Sequence, residues 1–197
     1  MRPLRFTIFS LLTVALMIVG CQPETEDPDD TVSPDPDEQM EALDRADREG
    51  AAYIDLPYAV MPFDDLLIGG QPEEEHLGEA AEAGYRTVVN LRPDDELPDW
   101  YSWDLIEEQL GMRYFHIPVA GADDITQENA QELASIVDEG DNFPILMHCS
   151  SGNRVGALFA ARAYFLADED VEQALEVGRA SGLTELEAPL REQWSRE

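Results

Sequence analysis

The chain has 197 residues, and its 43 acidic residues outnumber its 12 basic residues, so its formal net charge at neutral pH is −31. All of the basic residues are arginine. This balance excludes a nucleic-acid partner, because the sequence offers no basic patch to release counterions from phosphates. With only two cysteines, a disulfide framework and a multi-cysteine metal site are excluded as well.

The chain begins with a segment that predicts export. After two early arginines, the run Phe6–Gly20 is apolar except for three hydroxyl residues. These fifteen residues suit a secretory signal peptide over residues 1–20 and fall short of the roughly 20 that span a bilayer. The run ends at Ile18-Val19-Gly20-Cys21, which resembles the lipobox of bacterial lipoproteins.

The lipobox resemblance implies cleavage before Cys21 and attachment of lipid to this cysteine. We therefore expect a protein anchored in the cell envelope and facing the periplasm. Several acyl chains form a firm anchor, since each buried methylene contributes about 0.8 kcal/mol. The alternative is a plain signal peptide that happens to contain a cysteine.

Residues 21–50 are predicted to form an acidic disordered tether. From residue 22 onward they contain four prolines, twelve acids and two arginines. So little apolar surface cannot offset the chain entropy that is lost on folding. We therefore expect the folded domain to begin near residue 51.

Residues 51–197 have the length of one globular domain with one core. Their 31 acids and 8 arginines give a net charge of −23. An acidic surface without lysine resembles the surfaces of proteins from salt-loving organisms, where high salt screens self-repulsion. The alternative is an acidic protein from an ordinary mesophile.

Four short apolar segments predict buried strands. They are Leu66–Gly69, Tyr85–Leu91, Met112–Val119 and Pro144–His148. Caps, glycines and prolines predict helices between and after them. These run from Pro72 to Gly84, Trp100 to Leu110, Thr126 to Glu139, Val155 to Leu166, Asp170 to Ala180 and Glu187 to Trp194. The alternation predicts an α/β fold, in which helices flank a mainly parallel sheet on both faces.

Polar side chains follow each of the four predicted strands. They are Gln71, Arg92, the pair Asp123 and Asp124, and the segment Cys149–Arg154. In a parallel sheet the carboxyl ends of the strands lie at one edge, and ligands bind there. We therefore expect these four segments to converge on one site.

The segment after the fourth strand has the features of an anion-binding loop around a nucleophilic thiolate. Cys149 is predicted to lie between a strand and a helix N-terminus, where free N–H groups and the helix dipole stabilise negative charge. Gly152 permits the loop to curl, and the planar guanidinium of Arg154 can grip two oxygens of an anion. The predicted anion-binding residues are Ser150, Ser151, Gly152, Asn153, Arg154 and Arg92.

For Cys149, His148 and Arg92, roles without catalysis or substrate binding are also possible interpretations. Cys149 could be a small buried residue at a strand end, or part of an anion-binding module without turnover. His148 could support the thiolate by hydrogen bonding or could simply bond within the core. Arg92 could pair with the acids at 94–96 rather than bind substrate. No cofactor and no metal are expected.

The motif His-Cys-x-x-Gly followed by Arg154 resembles that of cysteine-dependent protein phosphatases. Three further segments extend the likeness to the phosphatase-like domain family named after beta-lactamase-hydrolase-like proteins: Gly70–Pro72, Gly84–Asp94 and His116–Asp124. The resemblance covers nearly all of residues 58 to 190. It implies a dual-specificity-phosphatase-like α/β fold, with Cys149 as the nucleophile and Arg154 as the anion clamp. The expected partner is a small anionic or phosphorylated substrate.

A phosphatase of this chemistry also needs a general acid that protonates the leaving group. Asp123 and Asp124 lie 26 and 25 residues before Cys149, in the loop after the third predicted strand. That placement resembles the acid loop of phosphatases. Either aspartate could serve, and either could instead cap the helix that follows.

Two departures from the phosphatase pattern keep a second chemistry open. Four residues separate Cys149 from Arg154, where phosphatases have five, and Val155 replaces the usual hydroxyl residue. The shorter loop resembles that of rhodanese-type sulfurtransferases, which carry a persulfide on cysteine. The hypotheses are therefore a phosphatase-like hydrolase of phosphoesters, a sulfurtransferase with a persulfide on Cys149, and an inactive anion-binding module on the envelope.

Overall fold

A computed structural model describes residues 51–63 and 65–196. The predicted signal peptide, Cys21 and the tether lie outside the described residues. Within this part of the chain, no helix is both long and apolar enough to cross a bilayer.

The described residues form a sheet of five strands in the order β1-β2-β5-β3-β4. The strands are β1 (Val60–Phe63), β2 (Leu66–Gly69), β3 (Thr87–Asn90), β4 (Arg113–His116) and β5 (Ile145–His148). Strands β2 to β5 run parallel, and β5 lies between β2 and β3 with every residue buried. The predicted mainly parallel α/β architecture is confirmed.

The edge strand β1 was not predicted from the sequence. It pairs antiparallel with β2 and is only partly buried. Pro62 interrupts its pattern, and proline is tolerated in sheets mainly at edges because it donates no ladder hydrogen bond. The result is a mixed sheet with one antiparallel edge.

The described residues also form five α-helices: α1 (Glu74–Glu82), α2 (Gln127–Val137), α3 (Asn153–Leu166), α4 (Val171–Ala180) and α5 (Glu187–Trp194). Two begin at the caps that their sequences predict. The Thr126 hydroxyl accepts the N–H of Asn129 at 3.2 Å, and the Asp170 carboxylate accepts the N–H of Gln173 at 2.9 Å. These bonds satisfy donors that a helix start leaves free.

The predicted helix from Trp100 to Leu110 is shorter in the structure and has a different hydrogen-bond pattern. A 3₁₀ turn spans Asp94–Glu96, and a π-helical segment spans Asp104–Gln109. The Ser102 hydroxyl accepts the N–H of Leu105 at 3.2 Å, so helical bonding begins later than predicted.

Successive side chains along each strand point to opposite faces of the sheet, where they contribute to two hydrophobic cores. Ile68 and Met147 point into the core beneath α2 to α5, whereas Leu67 and Leu146 point into the core beneath α1 and the π-helical segment. The sheet is therefore the middle of three layers, and the carboxyl ends of its parallel strands form a common edge.

Candidate active site

The predicted anion-binding loop connects β5 to α3. Cys149 still pairs with β2, because its N–H donates to the Gly69 carbonyl at 3.3 Å. The chain then turns through Gly152, whose φ of +81° lies in the left-handed region that glycine adopts without strain. The Gly152 carbonyl accepts the N–H of Gly156 at 2.9 Å, so α3 starts directly after this turn.

The loop directs a backbone N–H at the sulfur of Cys149. The Gly152 N–H donates to Sγ at 3.1 Å, and the whole side chain of Cys149 is buried. The sulfur thus lies beside an N–H donor and near the start of a 14-residue helix, and both of these features attract negative charge. These contacts place the predicted nucleophile where negative charge is stabilised.

The other loop residues differ in their exposure and in their contacts. Ser150 is exposed, and Ser151 forms an isolated antiparallel bridge with Gly70. The Asn153 side-chain oxygen accepts the N–H groups of Thr184 at 2.9 Å and Leu186 at 3.3 Å. The side chain of Asn153 therefore ties the loop to the segment between α4 and α5, and its predicted contact with an anion would come from the backbone.

Arg154 is held by a carboxylate from a distant part of the chain. Its two terminal nitrogens donate to the two oxygens of Glu96, each at 2.9 Å. The hydrogen bond from Arg154 is also the main reason that the pKa of Glu96 is lowered. A guanidinium has five N–H donors, so this pair fixes the plane of Arg154 and leaves three donors for a substrate. Glu96 is thus a positioning residue.

Arg92 lies in the same cluster. Its Nη1 donates to the Gln71 side-chain oxygen at 2.5 Å, and its Nε lies 3.4 Å from Glu96. Its backbone N–H is accepted by Asn90 at 2.8 Å. The predicted convergence of the segments after β2, β3 and β5 is therefore confirmed, and the alternative that Arg92 pairs with a nearby acid is also realised.

His148 is completely buried behind the loop. Its Nε2 lies 2.6 Å from the Tyr101 hydroxyl, and its Nδ1 has no partner of good hydrogen-bond geometry among the described residues. Burial lowers the pKa of His148 from 6.5 to about 3, and the backbone of Cys149 offsets part of that shift. At neutral pH the ring is therefore uncharged, and its support for the thiolate stays a prediction.

This lowered pKa predicts acid sensitivity of the fold. Below the unfolded-state pKa of 6.5 the unfolded chain binds a proton at His148 that the folded chain excludes until about pH 3. The contribution of His148 to the free energy of unfolding is complete above the unfolded-state pKa and falls as pH decreases. At about pH 5 the free energy of unfolding is lower by roughly 2 kcal/mol. Urea unfolding of wild type and His148→Gln at several pH values measures the effect. The variant should show a shallower dependence on pH, and equal slopes would contradict the assignment.

The predicted acid loop follows β4. The Asp124 carboxylate accepts the N–H of Ala120 at 2.8 Å, and its backbone carbonyl accepts from the Asn129 amide at 2.8 Å. Asp123 is exposed and has no hydrogen bond or ion pair among the described residues. Among the residues that the structure describes, neither carboxylate contacts Cys149 or Arg154. Asp124 therefore shapes the loop, and Asp123 is the aspartate free to reach a ligand.

Sequence reasoning missed two residues that hold the site. Glu96 binds Arg154 across 58 positions, and Tyr101 binds His148 across 47. The only sequence signal for Glu96 is its position four residues after Arg92, which suits a local pair. For Tyr101 there is no signal, because a tyrosine before a predicted helix is unremarkable.

The sheet and the loop around Cys149 define a cysteine-dependent phosphatase-like α/β domain. Residues 64–195 match the family described as a DSP-PTPase phosphatase fused to NAD+ kinase, and the chain belongs to this family. The predicted phosphatase-like identity is confirmed.

Curated relatives carry the name beta-lactamase hydrolase-like protein, which the sequence resemblance anticipated. The protein from Xylella fastidiosa (strain Temecula1) is 36% identical over 100 residues, which are 48% of this chain and 22% of that protein. The protein from Agrobacterium fabrum is 30% identical over 105 residues, or 51% and 24% of the two chains. The chain thus spans less than a quarter of the length of these relatives.

Solved structures share the fold. Tk-PTP in its active form has a TM-score of 0.53 at 24% identity, covering 72% of this chain and 98% of its own. The catalytic core of the PP-IP phosphatase SIW14 from S. cerevisiae has a TM-score of 0.53 at 19% identity, covering 73% and 88%. These likenesses concern the fold. The family match favours the phosphatase-like hypothesis over the sulfurtransferase.

Proposed function

We propose that this domain is a cysteine-dependent hydrolase of phosphoesters. The observation that carries the proposal is the Gly152 N–H donating to the Cys149 sulfur at 3.1 Å, inside a loop whose Arg154 is oriented by Glu96. A stabilised thiolate beside a planar cation is suited to attack an anionic, tetrahedral phosphorus.

In the first step, the Cys149 thiolate attacks phosphorus. The S–P bond forms while the bond from phosphorus to the leaving oxygen breaks. The loop amides and the three remaining N–H donors of Arg154 hold the non-bridging oxygens. A carboxylic acid donates a proton to the leaving oxygen, so that an alcohol departs rather than an alkoxide.

In the second step, water attacks the phosphorus of the thiophosphate. The S–P bond breaks, its electron pair returns to Cys149, and the carboxylate formed in the first step accepts a proton from the water. Phosphate leaves and both groups return to their starting states. No group beyond this chain and water is needed for the atoms and charges to balance.

We assign the general acid to Asp123. Its neighbour Asp124 already accepts the Ala120 N–H, so the carboxylate of Asp124 supports the turn. Asp123→Asn is expected to lower kcat by about 10²- to 10⁴-fold, because general acid catalysis typically contributes that much. The loss should be larger for phenyl phosphate than for p-nitrophenyl phosphate, whose leaving group needs less protonation.

Asp124→Asn is the matched control for this assignment. It removes the same charge one residue along the chain, so an equal loss in both variants would point to charge rather than proton transfer. A larger loss in Asp124→Asn, in protein that unfolds at the wild-type urea concentration, would reverse the assignment.

The proposed function is tested directly on the wild-type protein. We expect phosphate release from p-nitrophenyl phosphate and, after rapid acid quench, a phosphoryl adduct on the peptide that contains Cys149. The same protein is given thiosulfate and cyanide, and thiocyanate should not form. Thiocyanate formation without phosphate release would establish the sulfurtransferase instead, and phosphate binding without either product would leave the inactive module.

We also propose that the protein is a lipoprotein anchored through Cys21 in the cell envelope. The apolar run that ends at this cysteine supports the proposal. Mass spectrometry of the N-terminal peptide from membrane-extracted protein provides the test. The expected peptide begins at Cys21 with acyl chains attached, and an unmodified Cys21 would overturn the proposal.

We further propose that the acidic surface is adapted to high salt. The absence of lysine from the chain and its net charge of −31 support this. At about 1 M salt the Debye length is roughly 3 Å, so repulsion among the carboxylates is screened. The urea midpoint is expected to rise from low to molar salt, and an unchanged midpoint would contradict the adaptation.

A further inference from the structure

A cavity of about 390 Å³ lies at the amino ends of β3 and β4. It is lined by Tyr85, Arg86, Gly111, Arg113 and Asp141. Arg86 directly precedes β3, and Arg113 begins β4. The anion-binding loop follows the carboxyl end of β5, so the length of a four-residue strand, about 13 Å, separates the cavity from that loop. The cavity is therefore distinct from the candidate active site.

The two arginines of this cavity differ from the other arginines of the domain. Residues 51–197 contain 31 acids and 8 arginines, so acidic partners are abundant. Six arginines form ion pairs with carboxylates: Arg92, Arg154, Arg162, Arg179, Arg191 and Arg196. Among the described residues, Arg86 and Arg113 form none. The two arginines that lack a carboxylate partner in this part of the chain thus line the same cavity.

The fold holds the guanidinium of Arg113 in place. Its Nη1 donates to the Asp141 carbonyl at 2.8 Å and to the Asn142 side-chain oxygen at 2.7 Å. Asn142 is buried, and its side-chain amide donates to the Ile136 carbonyl at 2.9 Å. Since a guanidinium has five N–H donors, three donors of Arg113 remain for a ligand. Arg113 is therefore oriented in advance, while its charge is not neutralised.

Arg86 lies beside Arg113 on the neighbouring strand. The Arg113 N–H donates to the Arg86 carbonyl at 2.8 Å, and adjacent strands are about 4.8 Å apart. Arg86 is exposed, and its side chain has no hydrogen bond or ion pair among the described residues. The Asp141 carboxylate also lines the cavity, yet within the described part of the chain it pairs with neither arginine. Two neighbouring cations repel each other, and an anion bound between them would offset that repulsion.

The chemistry of the cavity suits a phosphate group. A phosphate monoester carries a charge of about −1.5 to −2 at neutral pH, which matches two cations. Guanidinium groups bind phosphate oxygens through pairs of parallel hydrogen bonds. The three remaining donors of Arg113 and the five of Arg86 exceed the roughly four lone-pair sites of one carboxylate. The volume of about 390 Å³ lies within the usual range for small-molecule sites, so more than the phosphate group fits.

We propose that this cavity is a second, noncatalytic site, in which Arg86 and Arg113 bind the phosphate group of a small molecule. The ligand is free phosphate or a phosphate ester, which share this chemistry. The inference goes beyond the proposed hydrolysis at Cys149 and does not depend on it.

The test follows backbone amide NMR signals while inorganic phosphate is added to the protein at constant ionic strength. We expect the Gly111 and Arg113 signals to shift with a dissociation constant of about 1–10 mM. Arg86→Gln removes an exposed cation that has no partner, so the variant should unfold at the wild-type urea concentration. It should weaken binding at the cavity by about 10-fold, because hydrogen bonds to charged groups contribute on that scale. Phosphate-dependent shifts of the Gly152 amide, in the anion-binding loop, should stay as in wild type.

Arg196→Gln is the matched control. It removes the same charge from an exposed arginine that pairs with Glu192 at 2.7 Å, and it should titrate like wild type. A second titration uses glycerol 3-phosphate with Cys149→Ser protein, so that the ester is not hydrolysed. The tighter of the two ligands identifies the source of the phosphate group. If the Gly111 and Arg113 signals move with neither ligand, or titrate identically in Arg86→Gln, the inference is overturned, whatever the activity of Cys149.

Discussion

Cys149→Ser is expected to lower the rate of phosphate release by about 10⁵- to 10⁶-fold, the scale seen when an enzyme loses its nucleophile. The hydroxyl of serine is far less acidic than a thiol, so the donor from Gly152 cannot stabilise an anion there at neutral pH. Serine is close to cysteine in size, and the buried site should still form. Initial rates with p-nitrophenyl phosphate measure the loss.

Two controls separate lost chemistry from lost structure. The Cys149→Ser protein should unfold at the wild-type urea concentration and bind inorganic phosphate with similar affinity. Ser135→Ala removes an exposed hydroxyl on α2 that donates to the Glu132 carbonyl, so its rate should stay close to wild type. Turnover in Cys149→Ser within about a hundredfold of wild type would show that another group is the nucleophile.

Arg154→Lys is expected to lower kcat/KM by about 10³-fold or more, as for arginines that stabilise transferring phosphoryl groups. Lysine keeps the charge but lacks the planar fork. In the wild type, Glu96 binds both terminal nitrogens of Arg154 and orients the donors that remain. A lysine bound to Glu96 has no fixed plane to offer the substrate. Steady-state kinetics on p-nitrophenyl phosphate give the value.

Arg162→Lys is the matched control for this change. Arg162 lies on the same helix and pairs with Asp138 at 2.6 Å, away from the loop. Its replacement should leave kcat/KM near wild type. Glu96→Gln should cost activity in the wild type but little more in Arg154→Lys, because coupled residues are not additive. Additive losses would show that Glu96 acts independently of Arg154.

The architecture could be predicted because its local signals agree with each other. The strands are short apolar runs between glycine and proline, and the helices that begin after Thr126 and Asp170 have their own caps. The edge strand β1 could not be predicted, because Pro62 and its partial burial hide the usual pattern. What fixes β1 is pairing with β2, which is a tertiary contact.

The chemistry of the site could be predicted, but its supports could not. Cys149, Gly152 and Arg154 lie within six residues, so their spacing is visible in the sequence. Glu96 reaches Arg154 only after the sheet has formed. Similarly, the sequence offers two equivalent aspartates, and only the bond from the Ala120 N–H separates Asp124 from its neighbour.

The Asn153 side-chain oxygen accepts the backbone N–H groups of Thr184 and Leu186, and these hydrogen bonds set the limits of the segment that an active domain needs. A fragment that ended after α4 would keep every residue with a chemical role. It would lack the Thr184 and Leu186 N–H groups that hold Asn153 and thereby stabilise the loop. When such a domain is fused to another domain, the junction must therefore lie after Leu186. The span needed for activity is longer than the span that carries the motif.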